Sequence, residues 1–149
     1  MSLAPPAQAA ALRIGEPLPA MVLQDQHGQA VAVPGAARWL LFAPDKAAAD
    51  LAQDWLKARG PGALKSLQAV YLADISGMPA LVARMFALPR LRELPFPVAL
   101  ASEAALTSEW PRRAGQLTLV AVDRGLVLGI EHAANVHDLA QRLQPPAAP

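Results

Sequence analysis

The sequence predicts an α/β fold, in which a central mixed β-sheet carries helices on both faces and begins with an N-terminal β-hairpin. Two stretches with apolar residues at helical spacing lie between short β-rich runs, which is the alternation typical of parallel β-α-β units. Near the C-terminus, two further apolar runs are separated only by Asp123-Arg124-Gly125, a combination that favours a tight antiparallel turn. Parallel and antiparallel neighbours together make the predicted sheet mixed.

Composition favours a protein with a packed core. Of the 149 residues, 54% are hydrophobic and 17% are charged, a balance that favours one folded domain over disorder. The net charge is only +1, which gives no general argument for binding nucleic acid or an anionic membrane. The sequence contains no Cys, so it offers no disulfide, no thiolate nucleophile and no Cys metal site. No apolar run approaches the roughly 18 residues that a transmembrane helix needs.

The two ends differ from the rest of the chain in composition. Residues 1–13 (MSLAPPAQAAALR) are small and rich in Pro and Ala, as are residues 144–149 (QPPAAP). Both segments are expected to be flexible, which leaves one domain over residues 14–143. Ala7-Gln8-Ala9 resembles the small-residue end of a secretory signal, although no apolar segment precedes it. The protein is therefore either cytoplasmic or a mature exported protein whose signal peptide has been removed.

The first elements are short strands. Met21–Leu23 and Val31–Val33 are apolar runs separated by polar QDQHGQ. Asp25 and Gly28 are residues that turns favour, so the pair predicts the N-terminal hairpin. Trp39–Phe42 is a four-residue apolar run, the length of a strand buried on both faces.

The next segment predicts a helix with one apolar face. Asp45 can accept hydrogen bonds from the free N–H groups at its start, and RGPG at 59–62 stops it. Apolar residues follow at positions i, i+3, i+4 and i+7, namely Ala48, Leu51, Ala52 and Trp55. We expect this stripe to pack against the sheet.

A second strand and helix follow. LQAVYLAD (67–74) predicts a strand, Ser76 is a candidate N-cap, and Pro79–Leu88 predicts a helix that Pro89 ends. The apolar stripe of this helix comprises Leu81, Val82, Met85 and Phe86. By the argument used for the first helix, these side chains are expected in the core.

The last third of the chain predicts two more helices among its strands. PFPVAL (95–100) contains two prolines, which favours a strand at the edge of the sheet. Ser102 is a candidate cap for a short helix over 102–110, and Asn135 is a candidate cap for the final helix. The apolar face of the final helix comprises Val136, Leu139, Ala140 and Leu143.

These motifs resemble the thioredoxin-like superfamily in its peroxiredoxin-like form, over roughly residues 14–143. IGEPLPAMVLQDQHGQAV is similar to the family's opening, WLLFAPD resembles the strand that delivers the active-site helix, and LTLVAVDRGLVLGI resembles the closing hairpin. YLADISGMPALVARMFALPRLRELPFPVAL further resembles small uncharacterised proteobacterial proteins of this superfamily that lack the redox cysteines. The resemblance implies a bacterial protein exported to the periplasm, because such relatives typically carry signal peptides.

The resemblance also shows what the chain lacks. Thioredoxin-type catalysis needs a thiolate at the N-terminus of the active-site helix, where the helix dipole lowers the pKa of the thiol. Here that turn reads DKAAAD (45–50), and Gln116 or Leu117 stands where the family has a cis-proline. We therefore expect no thiol–disulfide or peroxidase activity, and a trans peptide between Gln116 and Leu117. No GxGxxG follows a strand, so we expect no cofactor, flavin included.

One set of polar residues is expected to meet under this fold. The strands at Trp39–Phe42 and 67–73 end at the same sheet edge, which is the default ligand position in open α/β sheets. The candidate binding residues at this edge are Asp45, Lys46, Asp74, Ser76 and Arg113. We call this set the rim. Taken singly, Asp45 and Ser76 are better explained as helix caps.

Two functions remain open from the sequence. The first is a non-catalytic thioredoxin-like binding or accessory protein, with an unidentified protein or peptide partner, no nucleic-acid partner and no membrane insertion. The second is a non-redox enzyme or small-ligand-binding protein that uses Asp45, Asp74 and Arg113. A buried pair of carboxylates with a raised pKa would favour the second. The histidines lie in three separate elements and predict no metal site; they are His27, His132 and His137.

Overall fold

The computed structural model describes residues 12–143, and in that part of the chain seven strands form a single mixed sheet. The strands are β1 (Met21–Gln24), β2 (Ala30–Val33), β3 (Trp39–Ala43), β4 (Ala69–Asp74), β5 (Ala99–Ala101), β6 (Leu117–Asp123) and β7 (Leu126–Ala133). Their order across the sheet is β2-β1-β5-β4-β3-β6-β7. Strands β3, β4 and β5 run parallel, and the remaining pairings are antiparallel. The predicted mixed sheet is confirmed.

Helical segments connect these strands. They are α1 (Lys46–Arg59), α2 (Ala63–Leu67), α3 (Ala80–Val82), a π turn (Ala83–Ala87), α4 (Leu88–Arg92), a 3₁₀ turn (Ala104–Leu106) and α5 (Val136–Arg142). Because α3, the π turn and α4 follow one another without a break, we call residues 80–92 the outer helix. Within residues 12–143, every helix is too short or too polar to cross a membrane. Helix α2 has no counterpart among the sequence predictions.

The first two strands pair antiparallel, with Met21 opposite Val33. Asp25 shapes the turn between them, because its side chain accepts hydrogen bonds from the N–H groups of His27 at 2.8 Å and Gln29 at 2.9 Å. Gly28 has a φ of +78°, a conformation that glycine adopts without steric cost. The turn therefore uses the residues that the sequence pattern indicated.

Helix α1 packs its apolar stripe on one face of the sheet, as predicted. Ala48 and Ala52 are fully buried and Trp55 is 7% exposed, in one core cluster with Leu41 of β3 and Leu119 of β6. Helices α2 and α5 contribute Leu67 and Leu139 to the same layer. Gly60 follows the last helical residue and donates its N–H to the carbonyls of Leu56 and Lys57, which ends α1 where the sequence predicted.

The opposite face of the sheet is covered mainly by irregular chain. Leu12 and Leu18 pack there beside Trp110, which is buried and meets the ring of Phe42 edge-on at 5.1 Å between centroids. The helix predicted over 102–110 is reduced to the 3₁₀ turn, and Glu103, not Ser102, precedes that turn. A 3₁₀ turn buries little surface by itself, so Trp110 and the N-terminal residues supply most of the cover on this face.

Leu12 lies inside the region predicted to be flexible, and its side chain is buried. Leu12 therefore packs against the domain, while the boundary at residue 14 stays a prediction. The other residues of the predicted flexible ends, 1–11 and 144–149, lie outside the described residues.

The prediction that PFPVAL forms an edge strand is wrong. Strand β5 lies inside the sheet, between β1 and β4. Pro95 and Pro97 both precede its first residue, Ala99, so neither removes a hydrogen bond from the ladder. The prolines shape the approach to the strand and leave its position in the sheet undetermined.

A buried side chain takes the place of a neighbouring strand just before β5. Gln26 is 2% exposed, and its Oε1 accepts the N–H of Val98 at 2.8 Å. Its Nε2 donates to the carbonyls of Leu91 and Phe96 at 3.0 and 2.8 Å. Gln26 thereby satisfies three backbone groups that would otherwise be buried without partners, which is costly.

The outer helix departs furthest from prediction. Leu81, Val82, Met85 and Phe86 were expected in the core but are 67%, 41%, 58% and 64% exposed. Leu91, which is 8% exposed, is the residue of this helix that enters the core. At 3.6 residues per turn, Leu91 falls on the side of the helix away from the predicted stripe. Because Leu91 joins the core, the stripe points towards solvent.

The two predicted ends of the outer helix are also wrong. Ser76 does not cap it, because the residue at the N-cap is Pro79. Pro89 does not end it, because the helix continues to Arg92. Proline lacks the N–H for the usual i→i−4 bond, and the π turn directly before it has a bonding pattern that tolerates that loss.

Candidate functional site

The first turn of α1 is anchored by Asp45. This residue is extended (φ −149°, ψ 178°), and its Oδ1 accepts the N–H of Ala48 at 2.9 Å. The first four N–H groups of a helix have no partner within the helix, so such a cap stabilises it by about 1 kcal/mol. Asp45 thus fills the capping role that the sequence predicted.

The same carboxylate reaches a second segment of the chain. Its Oδ2 accepts the N–H of Gly115 at 2.8 Å, across 70 positions of sequence. Gly115 has a φ of +73° and lies close enough to Ala47 that a β-carbon on the glycine would stand 4.0 Å from the β-carbon of Ala47. The structure therefore brings the loop 112–116 against the first turn of α1. We call this contact the junction.

A second cluster lies at the end of β4. The Asp74 side chain is only 7% exposed, and its Oδ1 accepts the N–H of Ser76 at 2.9 Å. Its Oδ2 accepts a hydrogen bond from Thr107 Oγ1 at 3.2 Å and pairs with Nη1 of Arg112 at 3.4 Å. The guanidinium of Arg112 also donates to the Thr107 carbonyl and lies 5.2 Å from the centre of the Phe42 ring. Asp74 is therefore tied to Arg112, and not to the predicted Arg113.

Arg113 is exposed on the same loop, and its positive charge affects the pKa of a nearby histidine. The pKa of His132 is lowered, first by burial and then by the positive charge of Arg113. Thr118 Oγ1 donates to the carbonyl of Pro111 at 3.0 Å and lies 3.2 Å from Nδ1 of His132. A hydroxyl has one proton to give, so His132 donates from Nδ1 and keeps Nε2 as an acceptor when neutral.

Lys46 lies beside Asp45 but points into solvent. Its side chain is 75% exposed and pairs with Asp50 one helical turn later at 2.8 Å. An exposed pair of this kind contributes about 0.3–0.5 kcal/mol, so Lys46 is free to exchange Asp50 for another anion at little cost. Of the five rim residues, Asp45, Lys46 and Arg113 thus belong to the junction, whereas Asp74 and Ser76 belong to the Arg112 cluster.

The geometry limits the chemistry of the rim. The two carboxylates are held by different donors, Asp45 by backbone N–H groups and Asp74 by Thr107 and Arg112. They therefore do not form the carboxylate pair that would favour acid–base catalysis. Residues 12–143 contain no group of three His, Asp or Glu side chains placed to hold a metal ion.

The loop approaching β6 follows the expectation drawn from the missing proline. In residues 12–143 the cis peptide bond is Val33–Pro34, so the Gln116–Leu117 bond is trans. Leu117 is fully buried in the core beneath α1. Of the two residues at the position where the resemblance implies a cis-proline, Leu117 is a core residue and Gln116 is partly exposed.

A groove of about 550 Å³ lies at the other end of the sheet, near the start of β4. It is mainly apolar, with Leu64, Tyr71 and Phe96 among its lining residues. The Tyr71 hydroxyl donates to the carbonyl of Ala49 at 3.4 Å, and burial raises the pKa of Tyr71 above its ordinary value. Because the Tyr71 hydroxyl is buried and bonded within the protein, it serves as a structural hydrogen-bond donor. The groove therefore adds no reactive group to the rim.

Strand β3 delivers the N-terminus of α1 to the sheet edge beside β4, and β6, β7 and α5 close the domain. This arrangement is the thioredoxin-like fold, as the sequence motifs predicted.

No protein-family model matches the sequence, and no curated protein is significantly similar to it. Solved structures share the fold. A putative protein disulfide isomerase from Bacteroides thetaiotaomicron is 15% identical with a TM-score of 0.59, over 91% of this chain and 89% of that one. Peroxidoxin BcpB from Mycobacterium tuberculosis is 12% identical with a TM-score of 0.57, over 89% and 94%. StoA from Bacillus subtilis is 14% identical with a TM-score of 0.56, over 83% and 95%. Identities this low establish the fold and leave the function to the site.

Sequence reasoning missed three residues of the site. Thr107 and Thr118 read as ordinary polar residues, and His132 as a scattered surface histidine. Their roles depend on partners 7 to 33 positions away, as in the bonds of Thr107 to Asp74 and of Thr118 to Pro111. The β-hairpin register places Thr118 opposite His132, and this pairing is the one signal that a strand prediction could have supplied.

Proposed function

We propose that this protein is a non-catalytic thioredoxin-like binding protein, which holds a segment of a partner protein at the junction between α1 and the loop 112–116. The observation that carries the proposal is the Asp45 carboxylate, which bonds Ala48 and Gly115 where thioredoxin-type enzymes place a thiolate. A carboxylate at this position forms the same interaction with the helix N-terminus but cannot exchange electrons with a disulfide.

The absence of thiol chemistry follows from the whole sequence, which contains no Cys. Thiol–disulfide exchange and peroxide reduction by cysteine both need a thiolate as nucleophile. Neither reaction is available to this chain. The fold around the junction nevertheless keeps α1 and the loop 112–116 in contact. In this proposal, the surface that they form binds the partner segment.

Side chains carry the recognition in this proposal. The N–H of Gly115 is already bonded to Asp45, so it is not free to pair with the backbone of a partner. Lys46 and Arg113 are exposed cations at the junction. We therefore expect a partner segment with carboxylates, bound with an affinity that falls as salt is added.

The test first identifies the partner and then maps the surface. A benzophenone amino acid placed at Arg113 in the native organism would crosslink whatever occupies the junction, and the same probe at Lys65 is the control. Lys65 is exposed on α2, directly before β4, and therefore lies at the opposite end of the sheet.

Affinity for the identified partner is then measured with purified variants. Lys46→Glu and Arg113→Glu should each weaken binding by about ten-fold at low salt and less at high salt, because each reverses a charge at the contact. Lys65→Glu makes the same change of charge and should leave the affinity unaltered. Equal affinity for all three variants, with the fold intact, would place the binding surface elsewhere.

The second function open from the sequence, a non-redox enzyme or ligand-binding site at the rim, stays a prediction. The Asp74 carboxylate faces Thr107 and Arg112 and is almost fully buried. These contacts fix three chain segments to one another, which is a structural role.

Export to the periplasm is part of the proposal and follows from the resemblance. A chain without Cys folds equally well in an oxidising or a reducing compartment. Fractionation of the native organism with an antibody against this protein tests the location. Recovery of the protein in the cytoplasmic fraction would contradict export and leave the binding proposal standing.

A further inference from the structure

The outer helix carries an apolar surface that its own domain leaves uncovered. Leu81, Val82, Met85 and Phe86 are each between 41% and 67% exposed, within six consecutive positions. Isolated exposed apolar residues are common, but a contiguous group of this kind marks an interaction surface in soluble proteins. We call these four residues the ridge.

A groove with apolar and polar walls adjoins the ridge. It encloses about 490 Å³ between the outer helix and the strands β1 and β5. Its apolar lining includes Val22, Leu88, Leu100 and Leu106, and its polar lining includes Gln24, Arg92 and Glu103. Val22 is itself 69% exposed. The ridge and the groove therefore share the outer helix and lie side by side.

The outer helix and the groove both carry charged residues. The segment from Ile75 to Arg92 contains Arg84, Arg90 and Arg92 and no acidic residue. Arg92 is engaged, because its Nε donates to the carbonyl of Gln26, whereas Arg84 and Arg90 are exposed. Across the groove, Glu103 is exposed on the wall formed by the 3₁₀ segment. The exposed Arg84 and Arg90 thus accompany a groove that carries Glu103 on one wall and the engaged Arg92 on another.

We propose that the ridge of one copy of this chain packs into the groove of a second copy, and that the reciprocal contact completes a two-fold symmetric homodimer. A two-fold interface needs one surface that is complementary to itself, and an apolar ridge beside a groove with apolar walls at Val22, Leu88 and Leu100 supplies that shape. Arg84 and Arg90 of each copy approach Glu103 of the other, so the charges are complementary as well.

Other occupants fit less well. An anionic membrane would attract the arginines of the outer helix but would repel Glu103, which lies on the same face. A different protein would need its own apolar ridge flanked by cations to fill the groove beside Glu103, and a second copy of this chain already carries such a ridge. A specific dimer buries about 800 Å² on each partner, with apolar residues at its centre. The ridge together with Val22 and Leu88 provides that apolar centre.

Sedimentation velocity of the full chain over about a hundred-fold range of concentration tests the proposal. At the upper end of the range, the 15.7 kDa chain should sediment as a species of twice that mass. Phe86→Glu should weaken dimerisation by at least about ten-fold, because it places a charge in the apolar contact. The matched control is Leu128→Glu, since Leu128 is 55% exposed on β7, away from the outer helix.

A mixing experiment separates the charge contacts from a general loss of folding. Arg84→Glu and Glu103→Arg should each weaken the homodimer, because each creates two like-charge contacts. An equimolar mixture of the two variants should dimerise more tightly than either variant alone, because both contacts between positions 84 and 103 then join opposite charges and only one Arg90 contact is repulsive.

Three results would overturn the proposal. They are a monomer at every concentration, a dimer that Phe86→Glu leaves unchanged, and variants that fail to complement each other in the mixture. Co-sedimentation of the monomer with vesicles containing phosphatidylglycerol, lost in Phe86→Glu, would assign the ridge to a membrane surface instead.

Discussion

Helix α1 and the outer helix show how differently one domain can treat two similar apolar stripes. The stripe of α1 is buried, with Ala48 and Ala52 inaccessible and Trp55 at 7% exposure, and Asp45 fixes its start to a distant loop. The stripe of the outer helix is exposed, and no side-chain cap fixes its start. Helical spacing of apolar residues therefore predicts a helix with an apolar face, but it does not predict what covers that face.

The largest expected effect contrasts an aromatic residue from each stripe. Trp55→Ala should lower the free energy of unfolding by about 3–5 kcal/mol, because it leaves a cavity between α1 and the sheet. Phe86→Ala should lower it by less than about 1 kcal/mol, because its ring is 64% exposed. Urea denaturation, at a concentration where sedimentation shows the monomer, measures both. Similar losses for the two variants would mean that the difference between the stripes is misassigned.

A smaller effect is expected from the anchor of α1. Asp45→Ala should cost about 1–3 kcal/mol of unfolding free energy, because it removes the cap on Ala48 and the bond to Gly115 together. The control is Asp50→Ala, which removes a carboxylate from the same helix but breaks only the exposed pair with Lys46. Hydrogen exchange should also rise at the amides of Ala48 and Gly115 in Asp45→Ala alone. Unchanged protection of Gly115 would argue against the junction.

The pH dependence of stability tests the loop side of the junction. The folded-state pKa of His132 is lowered, chiefly by burial and further by Arg113, so the unfolded chain takes up a proton first as the pH falls. The stability that neutral His132 contributes to the folded state is therefore complete above the ordinary histidine pKa of about 6.5, and it is lost progressively as the pH falls below that value. The unfolding free energy should fall between pH 7.5 and pH 5, and His132→Asn should flatten that fall. An identical pH profile in the variant would mean that His132 does not cause the fall in stability.

The smallest effect concerns Lys46. Lys46→Ala should change the unfolding free energy by no more than about 0.5 kcal/mol, because the pair with Asp50 is exposed. The same substitution should nevertheless weaken binding of a partner at the junction. A residue that matters for affinity and not for stability is the pattern expected of a binding surface, whereas a stability loss above about 1 kcal/mol would indicate a structural role.

Much of the fold could be predicted because its signals are local. The positions of β3, α1, β4 and the closing hairpin follow from short-range periodicity and from turn residues such as Asp45 and Gly60. The exclusion of thiol chemistry needed only a count of cysteines. The proximity of Asp45 to the loop 112–116 was also predictable, once the resemblance had fixed which strands are neighbours.

What the sequence could not supply are the contacts that depend on closing long loops. Asp74 pairs with Arg112 and leaves Arg113 free, a choice between adjacent residues that no pattern distinguishes. Strand β5 lies inside the sheet although prolines precede it, because Gln26 satisfies the backbone groups before it.

The sequence by itself therefore determined most of the strands, helix α1 and the absence of a Cys, since these follow from the identity and spacing of neighbouring residues. Only the tertiary structure decided which apolar stripe is buried. A stripe becomes core when the chain folds a second apolar surface onto it, and that surface comes from residues distant in sequence. The sheet beneath α1 provides such a surface, whereas no segment of the described chain covers the ridge of the outer helix.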